Sequence, residues 1–328
     1  MKKKILTAAI LAAVLLSSCG SSTEGTSDTT SVAESVTTSA TETTPAGDTT
    51  SAALSEAAVK FGITKENFPL TDGSTSTIPL DAGIRAALFN LSQAQTESEI
   101  THTTTHKSFE RLLNGEVDAI FTVPISAEQS EMAAEKGITL ESIPAAMEGF
   151  VFVVNADNPV DSLTQEQIKG IYAGRITNWS EVGGNDAEII PFQRNPDSGS
   201  QNYMRVFMQD DELIEAKSEY MLYGMAGILD AISNYDNGVD SIGYSVYSYA
   251  AEMYNNENGI KFIAVDGVAP SLETMASKDY PLLSCTYFMY SADEAADSPV
   301  RKLAEFITSA EGQEAVERSG YVKAHNIS

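Results

Sequence analysis

"GFVFVVN", residues 149–155, and "CTYFMYS", residues 285–291, are the two stretches that decide the predicted architecture. Each is apolar at consecutive positions, which is typical of a strand buried on both faces. The segment between them is long enough to form a domain of its own. If each stretch crosses once between two lobes, the first lobe comprises residues 56–150 plus 281–328 and the second comprises residues 151–280. The alternative is that both are central strands of a single sheet.

The rest of the folded part alternates strand-like apolar runs with amphipathic helical runs, and this alternation predicts an α/β fold. In "LTQEQIKGIYAG", Thr164 and Gln167 form a capping box and Gly174 ends the helix. Further strands are predicted at residues 117–123, 189–193, 241–246 and 261–265.

The first twenty residues, "MKKKILTAAILAAVLLSSCG", have the charge order of a secretory signal peptide, predicted over residues 1–18. The segment from Leu16 to Cys19 resembles the lipobox of bacterial lipoproteins, which implies an acylated Cys19. Residues 19–55 are rich in Ser and Thr, with almost no large apolar side chain, and predict a disordered tether. We therefore expect a protein anchored by lipid to the extracytoplasmic face of the cell membrane.

The formal net charge is −26, and removal of the three leader lysines makes it more negative. A nucleic acid is therefore not an expected partner, because its binding needs a basic surface. Cys285 is the only cysteine besides Cys19, so no intrachain disulfide is expected after acylation. We expect a monomer that packing alone stabilises.

Three predicted helices begin with runs of hydroxyl side chains. The runs are Ser74 to Thr77, Thr103 to Thr105 followed by His106, and Ser198 to Ser200, with Arg194 four residues before the last. Ser, Thr, Asp and Gly are also the preferred capping residues, so each run alone is explained by capping. A surface ion pair from Arg194 to Asp197 or Glu188 is the corresponding alternative for the arginine.

Taken together, the three runs favour an anion site. A helix start offers backbone N–H groups and a partial positive charge, and hydroxyl groups add donors. An arginine supplies a full charge and a planar fork that can grip two oxygens. Such a site attracts an anion locally, even in a strongly acidic protein.

The sequence resembles the phosphate-binding lipoproteins of phosphate ABC importers, within the type II periplasmic binding protein superfamily. The resemblance rests above all on "IYAGRITNWSEVGG" followed by "QRNPDSGSQ", with further matches in family order from about residue 68 to 325. It implies two lobes joined by two crossing hinge strands, with capture of inorganic phosphate between them and delivery to an ABC permease. Alternatives are another oxyanion or a small organic anion as ligand, or a surface sensor or adhesion lipoprotein without transport.

Position by position, the resemblance implies a set of ligand contacts in both lobes. A register uncertainty of one residue at Thr105 brings in its two neighbours. The implied contacts are Ser74, Thr75, Ser76, Thr104, Thr105, His106, Arg194, Ser198, Gly199 and Ser200.

One position departs from the family. Many phosphate binders carry an Asp after the strand that matches "VDAIF", where it accepts the proton of hydrogen phosphate; here that position is about Val123. Asp72, Asp197 and Glu128 are the candidate replacements.

No catalytic chemistry is indicated. His102 and His106 have the i, i+4 spacing of a helical metal pair, but no third ligand accompanies them. No Walker loop, Gly-x-Gly-x-x-Gly or Gly-x-Ser-x-Gly motif occurs. We expect neither an enzyme nor a bound metal or cofactor.

Overall fold

The computed structural model describes residues 54–224, 226–234, 238–253 and 259–325. The predicted signal peptide, the predicted acylation site at Cys19 and nearly all of the predicted tether lie outside these residues. The helices in the described ranges are α1 Glu56–Phe61, α2 Ile78–Phe89, α3 Gln93–Glu97, α4 Thr105–Leu113, α5 Ala127–Glu135, α6 Gln165–Tyr172, α7 Gly199–Met208, α8 Ala226–Asn234, α9 Leu272–Ala276, α10 Pro299–Thr308 and α11 Ala310–Arg318.

The strands form one large mixed sheet and two small two-stranded sheets. Within the large sheet the order is β1-β2-β11-β3-β8-β5, and β9 and β12 also pair with β3. The strand bounds are β1 Thr71–Gly73, β2 Ala119–Thr122, β3 Leu140–Asn155, β4 Ser162–Leu163, β5 Ile190–Pro191, β6 Gln193–Arg194, β7 Met221–Leu222, β8 Ser241–Val246, β9 Ile260–Phe262, β10 Ala264–Val265, β11 Leu283–Ser291 and β12 Val322–Lys323.

The long strand β3 connects two halves of the molecule. Its first part, up to Gly149, pairs with β11, and its second part, from Phe150, pairs with β8 and β9. The chain returns at the start of β11, where Leu283 pairs with Gly149 and the Leu282 carbonyl accepts a hydrogen bond from Phe150 N. The two crossing segments are therefore neighbours, which is the arrangement of a hinge.

The buried apolar residues divide in the same way. One group surrounds Leu80, Phe121 and Phe288, with a satellite around Phe109, and a second surrounds Phe152 and Tyr244. We call the part built around the first group and its satellite the first lobe, and the part built around the second group the second lobe. This confirms the two-lobed α/β fold predicted from the sequence, while the exact lobe limits remain a prediction.

Two predicted strands are each divided. Residues 189–193 give β5 and β6, because the chain changes partner from β8 to β7 after Phe192, whose N–H still donates to Ile242 of β8. Residues 261–265 give β9 and β10, because the chain changes partner from β3 to β4 at Ile263. The prediction was therefore wrong in treating each of these segments as one continuous strand.

Helix ends follow local chemistry. Thr164 and Gln167 form the predicted capping box at the start of α6. Gly174, two residues after that helix, has a φ of +70°, which glycine adopts without steric cost. Nowhere in the described ranges is there a helix both long enough and apolar enough to span a membrane.

Candidate anion-binding site

A cleft of about 410 Å³ lies where the three hydroxyl-rich helix starts meet. Eight of the ten predicted ligand residues line it: Ser74, Thr75, Thr104, Thr105, His106, Arg194, Ser198 and Gly199. The other two, Ser76 and Ser200, are buried beside it, in contact with Ser74 and Arg194 respectively. Segments far apart in the sequence are thus brought to one place, although ligand contact by each residue remains a prediction.

The first helix start is a short 3-10 turn, Thr75–Thr77, that leads into α2. Ser74 makes no capping bond with its side chain; its Oγ lies 3.0 Å from the Oγ of Ser76. Since one hydroxyl of that pair donates to the other, the accepting hydroxyl keeps its own proton for a further partner. Ser74 N donates to the carbonyl of Phe121 at the end of β2, which fixes the turn to the sheet.

Two buried carboxylates hold this turn from behind. Asp72 accepts hydrogen bonds from Gly73 N at 2.7 Å, from the backbone and hydroxyl of Thr103, and from the guanidinium of Arg111. These bonds tie β1 to the segment that enters α4. Asp72 is therefore fully engaged in positioning the loops and is not among the cleft-lining residues.

Asp81 in α2 performs the same role below Ser74. Burial alone would raise the pKa of Asp81, but the hydrogen bonds and charges of His102 and Arg85 outweigh it and lower that pKa. His102 Nε2 lies 3.2 Å from Asp81, and its Nδ1 lies 3.1 Å from the carbonyl oxygen of Ser74. His102 thus supports the loop, and it precedes α4 rather than sharing a helical face with His106. The described residues contain no metal-binding cluster of three or more His, Cys, Asp or Glu.

The starts of α4 and α7 have the same design. Thr104 Oγ1 accepts from the N–H of Lys107, and Ser198 Oγ accepts from the N–H of Gln201. A hydroxyl that accepts in this way still has its proton to donate. The first two N–H groups of each helix have no intrahelical partner because no carbonyl lies one turn before them. Capping and anion binding are therefore compatible at both sites.

Packing fixes the direction of each helix. Tyr203 of α7 stacks on Phe150 of β3 with ring centroids 5.7 Å apart, and Phe207 packs against the same ring. Phe109 of α4 is fully buried in the first lobe. Burying one such aromatic side chain stabilises by about 1.5–3 kcal/mol, so both helix starts are held toward the cleft by core contacts.

Arg194 carries the positive charge that is most deeply buried at the cleft. Its side chain is only 6% exposed; Nε donates to the carbonyl of Leu222 and Nη1 donates to Ser200 Oγ, both at 3.2 Å. Its backbone N–H donates to the hydroxyl of Tyr244 at 2.9 Å. Burial lowers the pKa of the guanidinium, and the hydroxyl groups of Tyr244 and Tyr249 partly oppose this effect. A group with so high an intrinsic pKa nevertheless stays charged.

The two lobes touch at Gly199. A Cβ placed on Gly199 would lie 2.8 Å from Thr105 Oγ1 and 2.8 Å from Val123 Cγ2, closer than real Cβ contacts. Only glycine therefore allows α7 to approach the start of α4 this closely. Val123 is buried and apolar at this point, so the position at which the resemblance leads us to expect an Asp offers no carboxylate.

Five cleft-lining residues were not predicted as ligand contacts: Lys107, Asn195, Asp197, Tyr223 and Gly224. Lys107 follows His106 directly, and the others lie near Arg194 in sequence or through the pairing of β6 with β7. Among the three candidate carboxylates, Asp197 lines the cleft, whereas Asp72 is engaged behind it and Glu128 lines a neighbouring cavity of about 280 Å³. Asp197 and Lys107 were recognisable from their positions beside predicted contacts, but Tyr223 was not.

The fold and the cleft together define a class, the two-lobed type II periplasmic binding proteins. The profile of the PBP superfamily domain matches residues 25–311, which is most of the chain. This chain belongs to the PBP superfamily.

Curated relatives support the assignment. The phosphate-binding protein PstS of Borreliella burgdorferi is 24% identical over 64% of this chain and 75% of its own length. A PstS of Staphylococcus epidermidis is 26% identical over 66% of this chain and 67% of its own length. A Clostridium perfringens substrate-binding protein solved with bound phosphate shares the fold with a TM-score of 0.59 and 21% identity, covering 78% of this chain and 99% of that one.

Proposed function

We propose that this protein captures inorganic phosphate in the cleft between its lobes and delivers it to an ABC permease outside the cytoplasm. The proposal rests above all on one observation: three helix starts and the buried Arg194 converge on one cleft. Backbone N–H groups, hydroxyl donors and one guanidinium suit a tetrahedral oxyanion. The electrostatic attraction is local, and it operates despite a formal net charge of −26.

Two curated relatives are named as phosphate-binding proteins, which favours phosphate over another oxyanion or an organic anion. The Clostridium perfringens neighbour is described as a phosphate ABC transporter substrate-binding protein, which favours a transport role over a sensor or adhesion role. No catalytic activity is part of the proposal, since the cleft offers donors that bind an anion and the sequence suggests no nucleophile and base pair.

The proposal includes the predicted anchor. Acylation of Cys19 would hold the protein at the membrane, and residues 19–55 would let the folded part reach the permease while remaining tethered. A single copy of the chain contains the whole cleft, which is consistent with a monomer.

Residues 50–328 form one compact unit and are the natural fragment for a thermal-shift test. We expect phosphate to raise the melting temperature with a dependence on concentration that follows mass action, and sulfate to do so only at much higher concentration. A shift with another anion but none with phosphate would overturn the phosphate assignment. No shift with any oxyanion would overturn the anion-binding function itself.

A further inference from the structure

We propose that Asn202 is a latch that holds the two lobes closed and sets the rate at which the ligand leaves. Asn202 lies in α7 of the second lobe, and its partners lie after β2 and in α5 of the first lobe. It is not among the residues that line the cleft. The inference rests on the proposed capture of an anion between the lobes.

The carboxamide of Asn202 makes two hydrogen bonds across the interlobe boundary. Its Nδ2 donates to the carbonyl of Pro124 at 3.1 Å and to Oε1 of Gln129 at 3.3 Å. Asn202 is 5% exposed and Gln129 is 4% exposed, so water competes weakly for either group. Buried hydrogen bonds of this kind are costly to leave unmade.

Gln129, the first-lobe partner of Asn202, is held in place before the contact between the lobes forms. Gln129 is the third residue of α5, and its Oε1 also accepts from Ser126 N at 2.9 Å, as part of a capping box. Its oxygen is therefore fixed in direction before the second lobe arrives. A preorganised acceptor loses little side-chain entropy when the contact forms.

The latch and the proposed anion donors belong to one rigid element. The N–H of Asn202 donates to the carbonyl of Ser198, so the latch lies one helical turn from the start of α7. Gly199 lies on the same turn, and a Cβ added to it would be 2.8 Å from Thr105 Oγ1 at the start of α4 in the first lobe. When α7 moves away with the second lobe, the anion donors and the latch have to separate from the first lobe together. The ligand therefore cannot escape without breaking the Asn202 contacts.

The test is stopped-flow measurement of phosphate association and dissociation with Asn202→Ala and Asn202→Asp. We expect dissociation to accelerate about five- to tenfold in N202A, with an association rate within about twofold of the unaltered protein, because the latch forms after encounter. N202D preserves the volume but places a carboxylate against two acceptor oxygens, so its dissociation should be faster still.

Asn158→Ala is the matched control. Asn158 is also a buried asparagine, 3% exposed, and its Nδ2 donates to a backbone carbonyl, that of Val239 at 2.7 Å, within the second lobe. N158A should lower the melting temperature but leave phosphate dissociation unchanged. Equal dissociation rates in N202D and N158A would overturn the latch.

A failure of the proposed function can be distinguished from a failure of the latch. If the unaltered protein binds no phosphate, the function fails, and small-angle scattering of the ligand-free proteins then tests the latch. The latch predicts a larger radius of gyration for N202D than for N158A, since only the former lacks the interlobe contact. Equal radii in that case would overturn it.

Discussion

Glu148 offers the sharpest test of how the hinge is stabilised. It lies in β3 next to Gly149, at the point where the strand leaves the first lobe, and is 4% exposed. Its carboxylate accepts from Ser248 N at 3.1 Å and from Ser248 Oγ at 2.7 Å, and both donors belong to the second lobe. Burial raises the pKa of Glu148 to about 7, with these hydrogen bonds partly opposing the increase.

The raised pKa of Glu148 determines the size and the direction of the change in folding stability with pH. In the unfolded chain a Glu titrates near pH 4.5, so between pH 4.5 and about 7 the folded state holds a proton that the unfolded state has lost. Stability from this group is therefore complete below pH 4.5 and is lost as the pH rises through 7. At about 1.36 kcal/mol per pKa unit, the loss amounts to roughly 3 kcal/mol.

The perturbation is Glu148→Gln, which keeps the shape and an acceptor oxygen but cannot ionise. Urea unfolding of residues 50–328 should be measured for both proteins between pH 5 and 8, so that titrations common to both cancel. We expect the free energy of unfolding of the unaltered protein to fall relative to that of E148Q by roughly 2.5 kcal/mol across this range, which begins just above the pKa of the unfolded Glu.

The charge of Glu148 also affects the side chains of two nearby tyrosines. Burial, and then the charge of Glu148, raises the pKa of both Tyr203 and Tyr321. Ser248→Ala removes the hydroxyl donor to the carboxylate while keeping the backbone N–H, so the pKa of Glu148 should rise further and the decline in stability should extend to higher pH. A constant difference between the unaltered protein and E148Q from pH 5 to 8 would refute the reasoning, because it would mean that Glu148 is ionised in the fold at every pH tested.

Three further predictions concern the cleft and its supports. Gly199→Ala places a methyl group 2.8 Å from Thr105 Oγ1. Phosphate affinity measured by calorimetry should therefore fall at least about tenfold, while the ligand-free melting temperature should change little. Unchanged affinity would contradict the close approach. Arg111→Met leaves the buried Asp72 without its cation, and urea unfolding should show a loss of about 3 kcal/mol; a loss below about 1 kcal/mol would mean that Arg111 does not support the loops. Asp197→Asn should reduce the preference for phosphate over sulfate about tenfold in competition binding, because a carboxylate lining the cleft can accept the ligand's proton. An unchanged ratio of phosphate to sulfate affinity would mean that Asp197 takes no part in recognition.

The sequence pattern predicted the large elements because burial leaves a direct mark on composition. Residues 150–154 are apolar throughout, and all of them are buried. The first part of β3 escaped prediction because it contains Pro144, which is disfavoured inside a sheet. Here the ladder shifts register opposite Pro144, between Thr286 and Tyr287, which accommodates the proline. Such a compensation involves a strand that is distant in the sequence, so it cannot be predicted from the residues around Pro144 alone.

The site was predictable to the extent that its chemistry is local. Hydroxyl-rich helix starts and Arg194 are visible in the sequence, and eight of ten predicted residues line one cleft. The supports were not predictable, because the contacts of Asp81 with His102 and of Asp72 with Arg111 join residues 21 and 39 positions apart. The burial of Ser76 and Ser200 was equally hidden, since both carry side chains suited to a ligand.

The central claim is that Arg194 and the helix starts bind phosphate in the cleft, and calorimetry of residues 50–328 tests it most directly. Arg194→Met should weaken phosphate binding by about 100-fold or more, since it removes the buried charge and its hydrogen bonds. Arg175→Met is the control, because Arg175 is an exposed cation of the second lobe paired with Asp211 away from the cleft, and it should bind normally. Equal phosphate affinities in R194M and R175M would contradict the account.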